Sequence, residues 1–232
     1  MREEFSMKQS KPLWLRFLVI AGILIFCVSA ATLWVRLQVP DGARIPMHWN
    51  AKGEINDWGG TGSLWLMPLV MIGMIALFAV LPRLEPRQGT ALLNSKPYLI
   101  TGLGSLFVLA CVQVGVVFTA QGKDFPMIPF IFTLVGLLFV VIGNYLGKIR
   151  SNFVIGIRTP WTLSSELSWN KTHRLGGKLF ALLGILLIVA GWRKWPDPFL
   201  TWVLLGGVFL LVASTATYSY FVWKSDPARM QG

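Results

Sequence analysis

The chain has 232 residues, of which 54% are apolar and only 13% charged, where average soluble domains carry roughly 25% charged residues. Charge this sparse cannot cover soluble cores, and it is gathered in clusters separated by long apolar gaps, which points to a membrane protein. The net charge of +11 comes with no nucleic-acid recognition motif, so it reads as Lys and Arg flanking membrane helices, and no direct nucleic-acid binding is expected.

Six runs approach the ~20 residues that a helix needs to cross a bilayer. The first runs from about Trp14 to Val35. Basic residues precede it, and Val28-Ser29-Ala30 has the look of a signal cleavage site. The apolar run nevertheless continues past that point and five more follow, so it reads as an uncleaved anchor.

The polar segment Val39–Ser63 follows, with two prolines, five glycines and no helical period, and reads as turns within a loop spanning 36–63. His48, Glu54 and Asp57 lie close together in it. There is no HExxH, no second nearby His and no Cys, so no metal is assigned. A membrane-embedded metal-dependent hydrolase using these three side chains stays open as an alternative. Asp57 also fits a turn, and Trp49 and Trp58 suit a membrane surface. Pro46, His48, Trp49, Asp57 and Trp58 mix apolar surface with a few polar groups, and form a candidate ligand-binding set.

The second to fourth runs lie at about Leu64–Leu81, Tyr98–Ala120 and Met127–Leu146. The fifth runs from about Leu179, or as early as Leu175, to Trp195, and the sixth from Phe199 to Trp223. Gln113 and Asn144 are the main polar groups at depth, and the lack of buried carboxylates argues against an ion-coupled pump. A structural or small-solute transport module is a second alternative. Gly136, Gly143, Gly147, Gly176, Gly177, Gly206 and Gly207 would let helices approach closely, and Ser214–Tyr220 reads as helix packing. Cys27 and Cys111 sit in apolar runs as small filler and indicate no disulfide framework.

With a cytoplasmic N-terminus, fifteen of the 21 Lys and Arg residues fall in inside segments and six in outside segments. Both termini are therefore expected in the cytoplasm. The largest basic loop, 147–178, is then cytoplasmic. In it, Asn-Phe-Val-Ile-Gly-Ile-Arg-Thr-Pro reads as an extended piece closed by an X-Pro boundary. A short interfacial helix is expected from Pro160 and Thr162, with Ser165 and Glu166 in its first turn and Leu163 and Leu167 on one face. Trp161 and Trp169 suit the headgroup level. Arg158 is expected to bind a carbonyl, a carboxylate or a lipid phosphate, with Glu166 one candidate partner.

Two segments together resemble a known family. The segment RSNFVIGIRTPWTLSSELSWNKTHRLGGK resembles the signature of the SdpI family, immunity proteins against the sporulation-delaying toxin. IPMHWNAKGEINDWGG resembles the small domain of unknown function that precedes that signature in many members. The matching positions are Asn152, Gly156, Arg158, Thr159, Pro160, Trp161, Thr162, Trp169 and Lys171, with Pro46, His48, Trp49, Gly53, Asp57 and Gly59 in the earlier segment. The resemblance implies an all-α polytopic protein of the bacterial cytoplasmic membrane. It divides into a two-helix unit, 1–95, and an SdpI-like four-helix unit, 96–232. It also implies protection against a membrane-active peptide toxin, capture of a transcriptional regulator at the cytoplasmic face in some circuits, no enzymatic activity and no cofactor. Glu166 joins the loop positions as a candidate site residue.

Overall fold

The computed structural model describes residues 12–50, 52–193 and 199–230. In chain order it has α1 (Leu13–Gln38), a hairpin of β1 (Ile45–Trp49) and β2 (Ile55–Gly59), and then α2 (Leu66–Val80). There follow α3 (Lys96–Ala120), α4 (Met127–Leu146), the short α5 (Pro160–Ser164), α6 (Glu166–Trp192) and α7 (Phe199–Lys224). All of these helices except α5 are long and apolar enough to cross a membrane, α2 with 3-10 turns that extend it to Thr61–Leu84. The chain is a multi-pass membrane protein with a helical body.

Six alternating spans put the start of α1 and the end of α7 at one end of the bundle, together with the segment 81–95 and the loop 147–165. We refer to this as the motif end. The other end carries the hairpin. Arg2, Lys8, Lys11, Lys194 and Trp195, which entered the charge count or the span bounds, lie outside the described residues.

The helix bounds differ from the sequence expectation in one instructive place. The fifth span begins at Glu166, not near Leu175 or Leu179. Ser165 is extended (φ −144°, ψ 123°) and its Oγ accepts the Ser168 N–H at 3.0 Å, so a new helix is capped there. That break also corrects the interfacial helix: Leu163 lies in α5 while Leu167 lies in α6, and Ser165 and Glu166 belong to the start of the second helix. In the polar stretch after Ser165, Ser168, Trp169 and His173 find hydrogen-bond partners that hydropathy does not register.

At the hairpin end the segment expected to be turns pairs as antiparallel strands. Ile45 faces Gly59 and Trp49 faces Ile55, with register shifts around His48. Asn50 organises the turn, its Oδ1 accepting the N–H groups of Lys52 at 2.9 Å and Glu54 at 3.0 Å. Gly53, at φ +84°, supplies the left-handed residue that the turn needs. Ile45 is fully buried and packs with Val35, Leu64, Val117 and Met127, so the hairpin caps the ends of four spans.

Between the ends, a core of Phe17, Met71, Phe78, Tyr98 and Leu106 joins α1, α2 and α3. Gln113 is buried, and its Nε2 donates to Thr32 Oγ1 and to the Leu64 carbonyl, both at 2.9 Å. Both donor hydrogens of this depth-buried amide thus find acceptors within the protein.

The orientation is open to a direct check. In a chain whose two cysteines are replaced by serine, Lys52→Cys should react with an impermeant maleimide on intact cells. Lys171→Cys should react only after permeabilisation. Labelling of both from one side would rule out the expected orientation.

Candidate functional site

The loop 149–159 is short of regular structure and held by side chains. Asn152 is fully buried. Its Oδ1 accepts the N–H groups of Val154 at 2.8 Å and Ile155 at 2.7 Å, and its Nδ2 donates to the Arg150 carbonyl at 2.8 Å. One amide therefore satisfies three backbone groups that would otherwise be lost in the interior.

Trp169 and His173 form the wall behind this turn. Trp169 is buried inside the protein and not turned out to headgroups, and its Nε1 donates to the Ile149 carbonyl at 2.7 Å. Its ring stacks on His173 with centroids 4.0 Å apart. His173 Nε2 accepts the Ile157 N–H at 3.0 Å, so the proton is on Nδ1, which donates to the Trp169 carbonyl at 2.8 Å. Gly156 sits against this pair at φ +112°.

Thr159 caps α5 in a reciprocal box with Thr162, the hydroxyl of each accepting the backbone N–H of the other. Pro160 occupies the first helical turn, where its missing N–H costs nothing. Thr159 and Ser219 hydroxyls lie 2.9 Å apart, Ser168 Oγ donates to the Ser219 carbonyl at 2.8 Å, and Trp161 packs edge-on against Tyr220. The hydroxyl run of the sixth span is thus a partner of the loop as well as of its own helix. Arg158 donates to the Phe153 carbonyl, not to Glu166.

The segment before α3 locks the other side. Buried Glu85 accepts the Phe153 N–H at 2.7 Å and the Arg87 N–H at 2.9 Å. Arg87 donates to Ser151 and to the Leu163 carbonyl and covers the Phe153 ring at 4.5 Å. Gln88 reaches the Arg150 and Ser151 carbonyls, each at 3.1 Å. Between these parts lies a polar cleft of about 690 Å³, with Arg87, Gln88, Arg150, Ser164, Glu166 and Asn170 on its walls. Among the candidate loop residues, Glu166 and Trp169 line it, while Asn152 and Thr162 are buried and hold the backbone of the loop.

The candidate residues at the hairpin do not converge in the same way. His48 Nδ1 pairs with Asn56 Oδ1 at 2.6 Å, Glu54 accepts from Asn50 at 2.8 Å, and Asp57 accepts its neighbour's N–H at 2.9 Å. Among the described residues no three His, Cys, Asp or Glu side chains are grouped to hold a metal ion. Asp57 and the half-exposed Trp58 share a shallow pocket of about 480 Å³ with Arg44 and Asn56. Pro46 pairs with Trp58 across the hairpin, and Trp49 packs into the cluster beneath it.

Glu85, Arg87, Gln88, His173 and Ser219 are parts of the motif end that sequence reasoning did not single out. Their signal is faint in the sequence: each bonds across at least sixteen residues of chain.

Comparison with known proteins places these features. Residues 148–220 match the SdpI/YfhL protein family, and residues 23–72 match a domain of unknown function, DUF1648. The first of these matches covers about a third of the chain. The SdpI resemblance extends beyond it: the Immunity protein SdpI of Bacillus subtilis (strain 168) is 24% identical over 203 residues, covering 87% of this chain and 95% of that protein. No solved structure matches the chain. The SdpI segment takes in the loop, the Trp169–His173 wall and Ser219. The DUF1648 segment takes in most of α1, the hairpin and the start of α2.

Just past the SdpI segment, Asp226 accepts a hydrogen bond from the Ser165 hydroxyl, tying the cap of α6 to the end of α7. That bond, the Ala228 N–H and the charge of Arg229 hold the Asp226 carboxyl below its ordinary value against a smaller desolvation penalty. A lowered folded pKa means stability that is present above the unfolded pKa, about 3.9, and lost as pH falls through the folded value. The gap in thermal midpoint between the wild type and Asp226→Asn should therefore be open at pH 6 and close only below about pH 4. A gap that stays constant to pH 3 would show that the charge plays no part.

Proposed function

We propose that this chain is a bacterial membrane immunity protein that shields its cell from a membrane-active peptide toxin. The observation that carries the reading is the likeness to the Immunity protein SdpI over nearly the whole of both chains. The structure supports a division of labour. The hairpin end, with Asp57 and Trp58 exposed beside a shallow pocket, is the part that a peptide arriving from outside would meet. The motif end lies in the cytoplasm in this reading. Its rigid cleft would be the surface on which a cytoplasmic regulator docks. In the same reading the domains divide near residue 95, with the first unit meeting the toxin.

The test is deletion of the gene and its re-expression, with survival scored against membrane-active peptides. Wild-type protein should restore survival. Trp58→Ala and Asp57→Ala should lose protection at unchanged protein level, since neither residue supports the core. Full protection by both variants would move recognition away from the hairpin, and failure of the wild type to protect would sink the immunity reading itself.

A further inference from the structure

A second cavity lies outside the loop network, on the outer side of the α4–α6 crossing. It is a groove of about 680 Å³. Its floor is Val140, Gly143, Gly177 and Ala181, and Asn144, Lys148, Arg174 and Lys178 ring it. Lys148 and Arg174 lie nearest the motif end and Val140 and Ala181 deepest along α4 and α6, with Lys178 between Gly177 and Ala181.

Three features make the groove unusual. The first is its charge: three cations and no carboxylate line it. The only ion pair among the described residues is Arg36–Asp41, at the opposite end. Arg174 and Lys178 stand four residues apart on one helix face, a spacing at which like charges repel unless an anion lies between them. The second is its surroundings. Leu137 and Val141 on α4 and Leu182 and Ile185 on α6 are exposed beside it, apolar surface of the kind that faces acyl chains in a multi-pass protein. The third is its gradient from cations to small apolar residues, which matches an anionic headgroup followed by an acyl chain. Basic pockets between membrane helices bind lipid headgroups in this way.

We propose that the groove is a binding site for an anionic phospholipid of the adjoining leaflet. Lys148, Arg174 and Lys178 hold the phosphate, Asn144 donates to it or to the glycerol ester, and one acyl chain lies along Val140 and Ala181. The proposal depends on the membrane reading alone and not on immunity.

The test uses the full-length protein in detergent, incubated with dioleoyl phosphatidylglycerol or dioleoyl phosphatidylcholine and read by native mass spectrometry. Phosphatidylglycerol should be retained at least tenfold more than phosphatidylcholine. Lys148→Gln, Arg174→Gln and Lys178→Gln should each lower that preference about fivefold, and together abolish it. All three residues are exposed, so folding should survive, as size-exclusion chromatography would verify. Charge removal at Lys52, Lys123 and Arg193, at the other end, should leave retention unchanged. Ala181→Phe keeps every cation but fills the floor, and should also expel the lipid. Equal retention of the two lipids, or a preference that survives the triple change, would overturn the site. Full retention in Ala181→Phe together with displacement by inorganic phosphate would also overturn it, leaving a plain phosphate site.

Discussion

Gly143→Ala should destabilise the protein by about 1–3 kcal/mol, and Gly143→Leu should prevent its accumulation, although each swap improves intrinsic helix propensity. A Cβ on Gly143 would stand 2.5 Å from the Gly177 carbonyl oxygen and 2.9 Å from the Ala181 nitrogen. Both are backbone atoms of the facing helix, so no rotamer change relieves the contact. Two turns away a Cβ on Gly136 would stand 2.5 Å from the Gly184 carbonyl oxygen, so separating the helices at one pair loosens the other. The propensity gain is up to ~1 kcal/mol, and Gly22→Ala isolates it, because nothing lies within 4 Å of that site. In detergent, the thermal midpoint should fall for Gly143→Ala and hold or rise for Gly22→Ala. A Gly143→Ala protein as stable as the wild type would show that the crossing is looser than drawn. Phosphatidylglycerol retention cannot substitute for this measurement, since Gly143 also floors the groove.

The sequence shows the spans plainly because bilayer crossing depends on a local sum over about 20 residues. The fourth span has the bounds read from composition alone, Met127–Leu146. The close crossing was half legible. Gly136, Gly143 and Gly177 drew attention, but the seven-residue recurrence of Gly177, Gly184 and Gly191 carries the fuller signal, and Gly191 presses on Phe132 in the same manner. Gly206 has open space around it, so glycine in a span does not by itself mean a neighbour. The hairpin was hidden because its strands are five residues each, interrupted by a proline and a register shift.

The motif end was legible as a motif and illegible as a structure. Its prolines and caps act locally, so the break before Pro160 could be read. The burial of Trp169 could not, since it depends on a carbonyl twenty residues away. Glu85 and Arg87 meet the loop across more than sixty residues, and no local pattern encodes that meeting.

Gly156→Ala should open this loop while leaving all six spans helical. Two costs combine. At φ +112° a side chain is strained wherever it finds room. Here it finds none: the new methyl would overlap His173 Nε2 and stand 3.3 Å from Trp169 Cη2. Displacing the imidazole breaks its bond to the Ile157 N–H and leaves that group unpaired, at a cost of about 1–3 kcal/mol. Gly89→Ala is the control, since Gly89 also has positive φ, +52°, yet has nothing within 4 Å. It should pay only the smaller backbone cost of the left-handed region, with no steric cost. Limited trypsin digestion should cut Gly156→Ala near Arg150 or Arg158 at least tenfold faster than Gly89→Ala, with unchanged far-ultraviolet dichroism. Adding His173→Ala to Gly156→Ala removes the colliding ring, so the double variant should lose less than the sum of the two single changes. Additive losses, or equal digestion of the two alanine variants, would mean that Gly156 is required for its backbone angle and not for the imidazole packed against it.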